Sequence, residues 1–105
     1  MKLTIEVRAK PGKASELYQT LQALLPTMRR QGCLDCGVSQ NAEEGEAFIL
    51  TGDWDSMSSF ECYMQSGSGS ALLGAIDLLS ERSRIRIGDE PWGGIEVLKR
   101  MRKET

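Results

Sequence analysis

The sequence predicts one domain of the α+β class, in which helices cover one face of a four-stranded antiparallel sheet in the order β-α-β-β-α-β. Three observations support this prediction. Apolar residues alternate with polar residues over residues 3–7 and 82–87, which indicates strands. Apolar residues also recur at helical spacing in two longer segments between them. The chain has 105 residues, which is enough for a single core of two packed layers.

The first strand and the first helix have the clearest patterns. Residues 3–7 alternate as in a strand with one buried face. After a turn at residues 11–12, a helix is predicted over about residues 13–30, and Gly32 ends it. Pro26 lacks a backbone N–H, so a kink or a loosened last turn is expected near it. The apolar stripe of this helix consists of Leu17, Leu21, Leu24, Leu25 and Met28.

A hairpin is predicted next. Residues 33–40 alternate weakly as a second strand, and residues 47–54 form a third strand. The polar residues 41–46, which include Gly45, connect them as a turn. The two strands are therefore expected to pair with each other.

The second helix is predicted to be split. Asp55 or Ser56 can cap its start. Its apolar face is expected to hold Met57, Phe60 and Met64, with Tyr63 beside them. The serine and glycine run at residues 66–70 is interpreted as a flexible break or a pocket lid. The helical pattern resumes over residues 71–79, and residues 82–87 form the last strand.

Charge and composition exclude several classes of protein. Thirteen basic and fifteen acidic residues give a net charge of -2, which does not suit a general nucleic-acid binder. Charge appears too early for a signal peptide, and no apolar run approaches the roughly 20 residues of a membrane-spanning helix. We therefore expect no membrane association and a cytoplasmic location. Three cysteines, an odd number, are expected to remain reduced.

Four landmarks occur along the chain in a characteristic order. Pro11-Gly12-Lys13 opens the first helix, Gly32-Cys33-Leu34 follows it, Phe48-Ile49-Leu50 lies in the third strand, and Trp54-Asp55-Ser56 ends that strand. This order resembles the antibiotic biosynthesis monooxygenase domain family, close to small quinol monooxygenases, over about residues 2–90. The resemblance implies a ferredoxin-like fold whose sheet pairs with a second copy in a dimeric α+β barrel. A homodimer is therefore the expected assembly.

The resemblance also implies where a ligand would bind. The family holds a small aromatic substrate between helices and sheet, near the tryptophan that ends the third strand, which is Trp54 here. Phe60 and Met64 on the next helix are then candidate substrate-binding residues, because aromatic and methionine side chains accept flat ligands. The same stripe at helical spacing also fits ordinary core packing.

The chain departs from the family pattern at its polar groups. Relatives tend to read Glu-x-Trp and His-Leu-x-Ser, where this chain has Gly52-Asp53-Trp54 and Tyr63-Met64-Gln65-Ser66, and it contains no histidine. Direct reaction of a substrate with dioxygen requires a base near the substrate hydroxyl. Tyr63 is the candidate catalytic residue, provided that a nearby cation lowers its pKa from about 10. Asp53 is a second candidate, but it is expected on the opposite strand face.

Two functions remain open at this point. The first is a cofactor-independent monooxygenase of a small aromatic or quinol-type substrate, in which Tyr63 or a bound water replaces the missing base. The second is a non-catalytic dimeric module that binds a small ligand or another protein. No cofactor is expected for either function. No metal site is expected, because histidine is absent.

Cys33 and Cys36 match the C-x-x-C spacing, which elsewhere marks a redox pair or half of a zinc site. Here the motif opens a strand, and residues three apart on a regular strand point to opposite faces. The sequence therefore favours a structural role for both thiols over a redox or metal role. The resemblance implies that Cys33 is a small buried residue.

The last strand is expected to have one apolar and one strongly basic face. The basic face carries Arg82, Arg84 and Arg86. We expect Glu6 of the first strand to pair with one of these arginines. Arg84 is alternatively a candidate for binding an anionic group, since guanidinium matches carboxylate and phosphate geometry.

The chain is interpreted as a domain over residues 1–90 followed by a basic amphipathic extension over residues 91–105. Ile95, Leu98 and Met101 lie at helical spacing among four basic residues. We favour packing of this tail on its own domain or across the dimer. A membrane surface or an anionic partner is the alternative.

Overall fold

The computed structural model of the chain describes residues 1–102, so the last part of the predicted extension, residues 103–105, lies outside it. The described residues form four strands and four helices: β1 (Lys2–Ala9), α1 (Ala14–Arg30), β2 (Cys33–Gln40), β3 (Ala47–Trp54), α2 (Met57–Gln65), α3 (Gly67–Leu79), β4 (Ser80–Ile87) and α4 (Glu96–Arg102). The strands are antiparallel in the order β2-β3-β1-β4. The predicted ferredoxin-like α+β fold is confirmed.

One hydrophobic core lies between the sheet and the helices. The inward-facing residues of β1 and the leucine stripe of α1 are buried as predicted. The other face of the sheet carries mainly polar and charged side chains, including Glu6, Asp53 and Arg84, together with Ile49. We call this second surface the open face.

Helix α1 runs through Pro26 without interruption. Proline removes one backbone N–H, which deprives the carbonyl of Gln22 of its helical partner. Gln22 is exposed, so water can bind that carbonyl. The helix ends at Arg30, and Gly32 follows with a φ of 112°, a conformation that favours glycine. Pro26 therefore does not end the helix.

Helices α2 and α3 meet at Ser66, which ends the first and caps the second. Its hydroxyl donates to the carbonyl of Tyr63 at 2.6 Å and accepts from the backbone N–H of Gly69 at 3.2 Å. The prediction of a flexible break or lid over residues 66–70 is wrong, because residues 67–70 already belong to α3. The serine cap lets the chain change direction within one residue.

The two helices come very close at Gly69. A Cβ atom there would lie 2.3 Å from the carbonyl oxygen of Tyr63 and 2.6 Å from the Cα atom of Met64. Both of these are backbone atoms, so they cannot rotate away as a side chain could. This part of the serine and glycine run therefore permits close packing of α2 and α3.

Strand β2 contains a bulge at Leu34. Cys33 lies opposite Trp54 and Asp35 lies opposite the residue before it, so Leu34 has no partner and is 74% exposed. Because of this extra residue, each later residue of β2 points to the opposite face of the sheet from the one that regular alternation predicts. Cys33 and Cys36 therefore share the helix-covered face. The prediction that they point to opposite faces is wrong.

The segment after β4 lies along the edge of that strand. Ile85 and Gly93 exchange two backbone hydrogen bonds, of 2.7 and 2.8 Å. Strand β4 itself begins two residues earlier than predicted, at the buried Ser80, whose hydroxyl donates to the carbonyl of Ile76 at 2.6 Å. The turn from α3 into β4 is thus fixed by a side-chain hydrogen bond that the alternation pattern does not reveal.

Helix α4 packs against α2. Leu98 is fully buried in the common core. Arg102 donates hydrogen bonds to the carbonyls of Met64 and Ser66, the latter at 3.1 Å, and so binds the joint between α2 and α3. The described part of the tail therefore packs on its own chain.

Replacing Gly69 with alanine is expected to lower the free energy of unfolding by about 1–3 kcal/mol, because the new methyl group overlaps backbone atoms of α2. Gly74→Ala is the matched control. Gly74 lies in the middle of α3 with no atom within 4 Å of the added Cβ, so alanine there should raise the stability by about 0.5–1 kcal/mol. Urea denaturation followed by circular dichroism measures both. Equal effects would contradict the close approach at Gly69.

The buried Cys33 thiol should make the fold sensitive to alkaline pH. Its side chain is 3% exposed, and burial, followed by the neighbouring thiol of Cys36, raises its pKa from 9.0 to about 11. Between these values the folded chain keeps a proton that the unfolded chain has lost. The free energy of unfolding therefore falls as the pH rises through this range.

We expect this thiol to reduce the free energy of unfolding by an amount on the order of 2 kcal/mol between about pH 8.5 and 10.5. Urea denaturation at the two pH values, with reductant present, measures this fall in the free energy of unfolding in wild type and in Cys33→Ala. Cys62→Ala, which removes an exposed thiol, is the control. The loss should be smaller only in Cys33→Ala. Three equal losses would rule out a raised pKa at Cys33.

Candidate functional site

The aromatic residues predicted to bind a substrate form one cluster between β3 and α2. The ring centroid of Trp54 lies 5.2 Å from that of Phe60 and 5.4 Å from that of Tyr63, with both pairs tilted. Met64 belongs to the same core, and all four side chains are at most 2% exposed. The structure thus brings these four residues together, in a closed and well-packed arrangement.

The hydroxyl group of Tyr63 lies 3.0 Å from that of Thr27 on α1. Burial raises the pKa of Tyr63 above its ordinary value of 10.0, and this outweighs the lowering by the Thr27 hydrogen bond. The other groups that act on it are the thiols of Cys36 and Cys33, which also raise the pKa. Tyr63 is therefore protonated at neutral pH and suited to donate a hydrogen bond. The nearby cation that a tyrosine base requires is not among the groups acting on it.

The indole N–H of Trp54 is a buried donor with no acceptor among the described residues. An unpaired buried donor costs about 1–3 kcal/mol, so its presence calls for an explanation. The nitrogen lies beside Gly52, where a Cβ atom would be 3.2 Å from Nε1 and 3.0 Å from the sulfur of Cys33. A side chain at position 52 would therefore meet Trp54 and Cys33, so only glycine fits there without a shift of its neighbours.

Two residues near the cluster do not belong to it. Asp53 is exposed on the open face, as expected for a neighbour of Gly52 and Trp54 on a strand. Met57 shares a face of α2 with Phe60 and Met64 by its spacing, but it is 38% exposed and is not part of the buried cluster. It occupies the uncovered first turn of the helix, directly after Ser56, which is the cap.

Arg84 lies on the open face, and the sheet separates it from Tyr63. Its Nε atom donates to Oε1 of Glu6 at 3.1 Å, and its guanidinium carbon lies 4.3 Å from the ring centroid of Trp92. Glu6 and Arg84 are also direct partners in the β1–β4 register. The predicted pairing of Glu6 with an arginine is confirmed. The structure does not bring Arg84 to the aromatic cluster.

A depression of about 290 Å³ opens on the open face beside this ion pair. Its polar lining includes Arg8, Arg82 and Arg84, together with Glu6 and Glu44. Arg8 forms an ion pair with Glu44, whereas no ion pair is found for Arg82 among the described residues. The depression can therefore accept a small anion or a carboxylate from a facing molecule.

Sequence reasoning missed Thr27 and Trp92. Thr27 follows Pro26 on α1, and only tertiary packing brings its hydroxyl to the Tyr63 phenol. Trp92 reaches Arg84 because the chain turns back along β4. An available signal was Gly88, which directly follows β4 and has a φ of 57° in the turn that brings the chain back.

Two further kinds of site are not found within residues 1–102. No group of three or more histidine, cysteine, aspartate or glutamate side chains there is arranged to hold a metal ion. No helix in the same range is both long enough and apolar enough to cross a bilayer.

The fold is similar to several solved structures. A protein from Shewanella oneidensis gives a TM-score of 0.75 at 17% identity, over 81% of this chain and 84% of its own. A protein from Pseudomonas aeruginosa gives a TM-score of 0.73 at 22% identity, over 83% of this chain and 93% of its own. The crystal structure of an antibiotic biosynthesis monooxygenase gives a TM-score of 0.74 at 13% identity, over 86% of this chain and 97% of its own. These identities establish a shared fold. No curated protein sequence matches this chain.

Residues 1–71 match the model of the family described as antibiotic biosynthesis monooxygenase. The match extends from β1 through α2 into the first turns of α3, and it includes the whole aromatic cluster. It covers well over half of the 105 residues. The sequence match and the shared fold agree, and this chain is a member of the antibiotic biosynthesis monooxygenase family.

Proposed function

We propose that this chain is a cofactor-independent monooxygenase that acts on a small aromatic or quinol-type substrate. The observation that carries the proposal is the buried, unpaired N–H of Trp54 in the same cluster as the Tyr63 phenol, in a member of a monooxygenase family. Both groups are donors that an oxygen atom of a substrate can accept from. We further propose a cytoplasmic location, which fits three free cysteines.

In the proposed complex, a flat aromatic substrate lies between β3 and α2. The N–H of Trp54 donates to a substrate oxygen, and Phe60 and Met64 contact the ring faces. The Tyr63 hydroxyl, which its raised pKa keeps protonated, adds a second donor. Because the cluster is closed, binding requires α2 to move away from the sheet. Ser66, the joint between two helices, is where the backbone would adjust.

The absence of a basic side chain in the cluster restricts the substrate. Oxygenation without a cofactor needs an electron-rich anion, and Tyr63 cannot act as the base at neutral pH. We therefore propose substrates acidic enough to arrive as anions, which the two donors would then stabilise. In the overall reaction, a ring C–H of the hydroxylated aromatic becomes C=O and a ring hydroxyl becomes a second C=O. One atom of dioxygen forms the new carbonyl and the other leaves in water with the two hydrogens, so no external electron donor is required.

A second function, a non-catalytic ligand-binding or interaction module, is supported by the surroundings of Gly52. The sulfur of Cys33 and the indole of Trp54 pack against this position, where relatives tend to have a glutamate. Such packing suits a scaffold that has lost the acid and now uses its surface. The open-face depression with its arginines is then the better candidate for binding a partner.

Dioxygen uptake by the purified protein, free of metal and cofactor, tests the monooxygenase proposal. A panel of quinols and hydroxylated polyaromatics serves as substrate. Trp54→Phe keeps an aromatic ring but removes the N–H, so we expect kcat/KM to fall about 10-fold or more, as for the loss of one hydrogen bond to a charged group. Tyr63→Phe should cause a loss of similar size.

Met57→Leu is the matched control for these variants, because Met57 lies on the same helix but is exposed. Its uptake should equal that of wild type. No uptake on any substrate, in protein shown to be folded by circular dichroism, would favour the non-catalytic module. Uptake that is unchanged in both aromatic variants would place the reaction elsewhere on the protein.

We also propose that the protein is a homodimer in which the open faces of two sheets meet. Ile49 on this face is 37% exposed, which is unusual for a large apolar side chain at the centre of a sheet. The face carries the acidic Asp35 and Asp53 at one end of β2 and β3, and arginines along β4. A two-fold axis can bring such opposite charges together.

Sedimentation velocity is expected to give a dimer for wild type and a monomer for Ile49→Asp, because the aspartate would be buried without a partner. Leu78→Asp is the control, since Leu78 is 70% exposed on α3, away from the open face. It should remain a dimer. A monomeric wild type, or a dimer that Leu78→Asp disrupts instead, would overturn this arrangement.

A further inference from the structure

The bulge in β2 brings two thiols together that the sequence pattern would separate. With Leu34 left out of the ladder, Cys33 pairs with Trp54 and Cys36 pairs with Gly52. The two cysteines are thus spaced like residues two apart on a regular strand. At about 3.2–3.4 Å per residue, their Cα atoms are about 6.4–6.8 Å apart. This lies at the upper end of the Cα separations that a disulfide can bridge.

The thiols also point to the same side. The sulfur of Cys33 packs against Gly52 on the helix-covered face, and the Cys36 thiol donates to the carbonyl of Leu25 on α1 at 3.7 Å. Both thiols also raise the pKa of the same phenol, that of Tyr63. A bond between them would need the backbone at the bulge to move until the two Cβ atoms are about 3.5–4.5 Å apart.

Access differs between the two thiols. Cys33 is buried, whereas Cys36 is only partly buried on β2, which is an edge strand of the sheet. The guanidinium of Arg29 lies beside Cys36 and donates to its backbone carbonyl at 3.5 Å. This positive charge can attract the carboxylates of a small peptide disulfide. Of these two thiols, Cys36 is therefore the one that an oxidant in solution reaches first. Cys33 is placed to react in a second step.

We propose that Cys33 and Cys36 form a reversible redox site that is oxidised to an internal disulfide by a low-molecular-weight disulfide such as oxidised glutathione. This site is independent of the proposed oxygenase function. Intracellular disulfides of this kind are usually transient, and a bond near the limit of its geometry is readily reduced.

The reaction is an ordinary thiol–disulfide exchange in two steps. The thiolate of Cys36 attacks one sulfur of oxidised glutathione, which forms a mixed disulfide and releases one glutathione thiolate. Cys33 then loses its proton, and its sulfur attacks the sulfur of Cys36 and releases the second glutathione. Two protein thiols are oxidised by two electrons, and one glutathione disulfide is reduced to two thiols.

The experiment is incubation of the full chain with mixtures of oxidised and reduced glutathione, followed by acid quenching and mass spectrometry. In wild type we expect the loss of two hydrogens and a peptide that links Cys33 to Cys36, reversed by reduced glutathione. In Cys33→Ala, a glutathione adduct on Cys36 should persist instead. In Cys36→Ala, the buried Cys33 should react at least 10-fold more slowly than the exposed Cys62, which is the internal reference.

Circular dichroism recorded during the reaction shows whether the chain stays folded. An internal disulfide in the folded protein supports the site. Stable glutathione adducts on wild-type Cys36 without an internal bond would overturn it. The proposal is equally overturned if the bond forms only as the folded signal is lost.

Discussion

The contact of β3 with α2 through Trp54, Phe60 and Tyr63 is the interaction on which the rest of the structure depends. It joins a central strand to α2, the helix on which both α3 and α4 pack. Helix α3 approaches the backbone of α2 so closely at Gly69 that no side chain fits between them. Helix α4 then bonds to the carbonyls at the end of α2 through Arg102. Without the aromatic contact, α3 and α4 would lose a surface on which both of them pack.

The same cluster carries both stability and the proposed chemistry, and these two demands oppose each other. Full burial of Trp54 and Tyr63 contributes to the core but raises the pKa of the phenol, which removes it as a base. The unpaired N–H of Trp54 costs stability in the free protein and would recover that cost only with an acceptor present. A glycine at position 52 lets the sulfur of Cys33 fill the adjacent space. Close packing at this position thus stabilises the fold, whereas the proposed chemistry requires the cluster to open.

Much of the fold could be predicted from the sequence, because it follows from periodicity. The α1 stripe, the alternation in β1 and the Glu6–Arg84 pairing all depend on regular spacing, and the structure confirms them. The features that the sequence did not predict have a different origin. The bulge at Leu34, the Ser66 cap and the close approach at Gly69 each depend on a single residue and its tertiary neighbours. Periodicity averages over a segment and cannot detect such local features. The pairing of Tyr63 with a hydroxyl on another helix escaped for the same reason.

The two edges of the sheet are both poorly suited to adding another strand. On the β4 edge, Gly93 already pairs with Ile85 and occupies donors and acceptors that a neighbouring chain would need. On the β2 edge, the bulge at Leu34 breaks the regular repeat that strand addition requires. Edge-to-edge growth into extended aggregates is therefore hindered on both sides. In the proposed homodimer, two copies of this chain would meet through the open face instead, and such a contact would close after two copies.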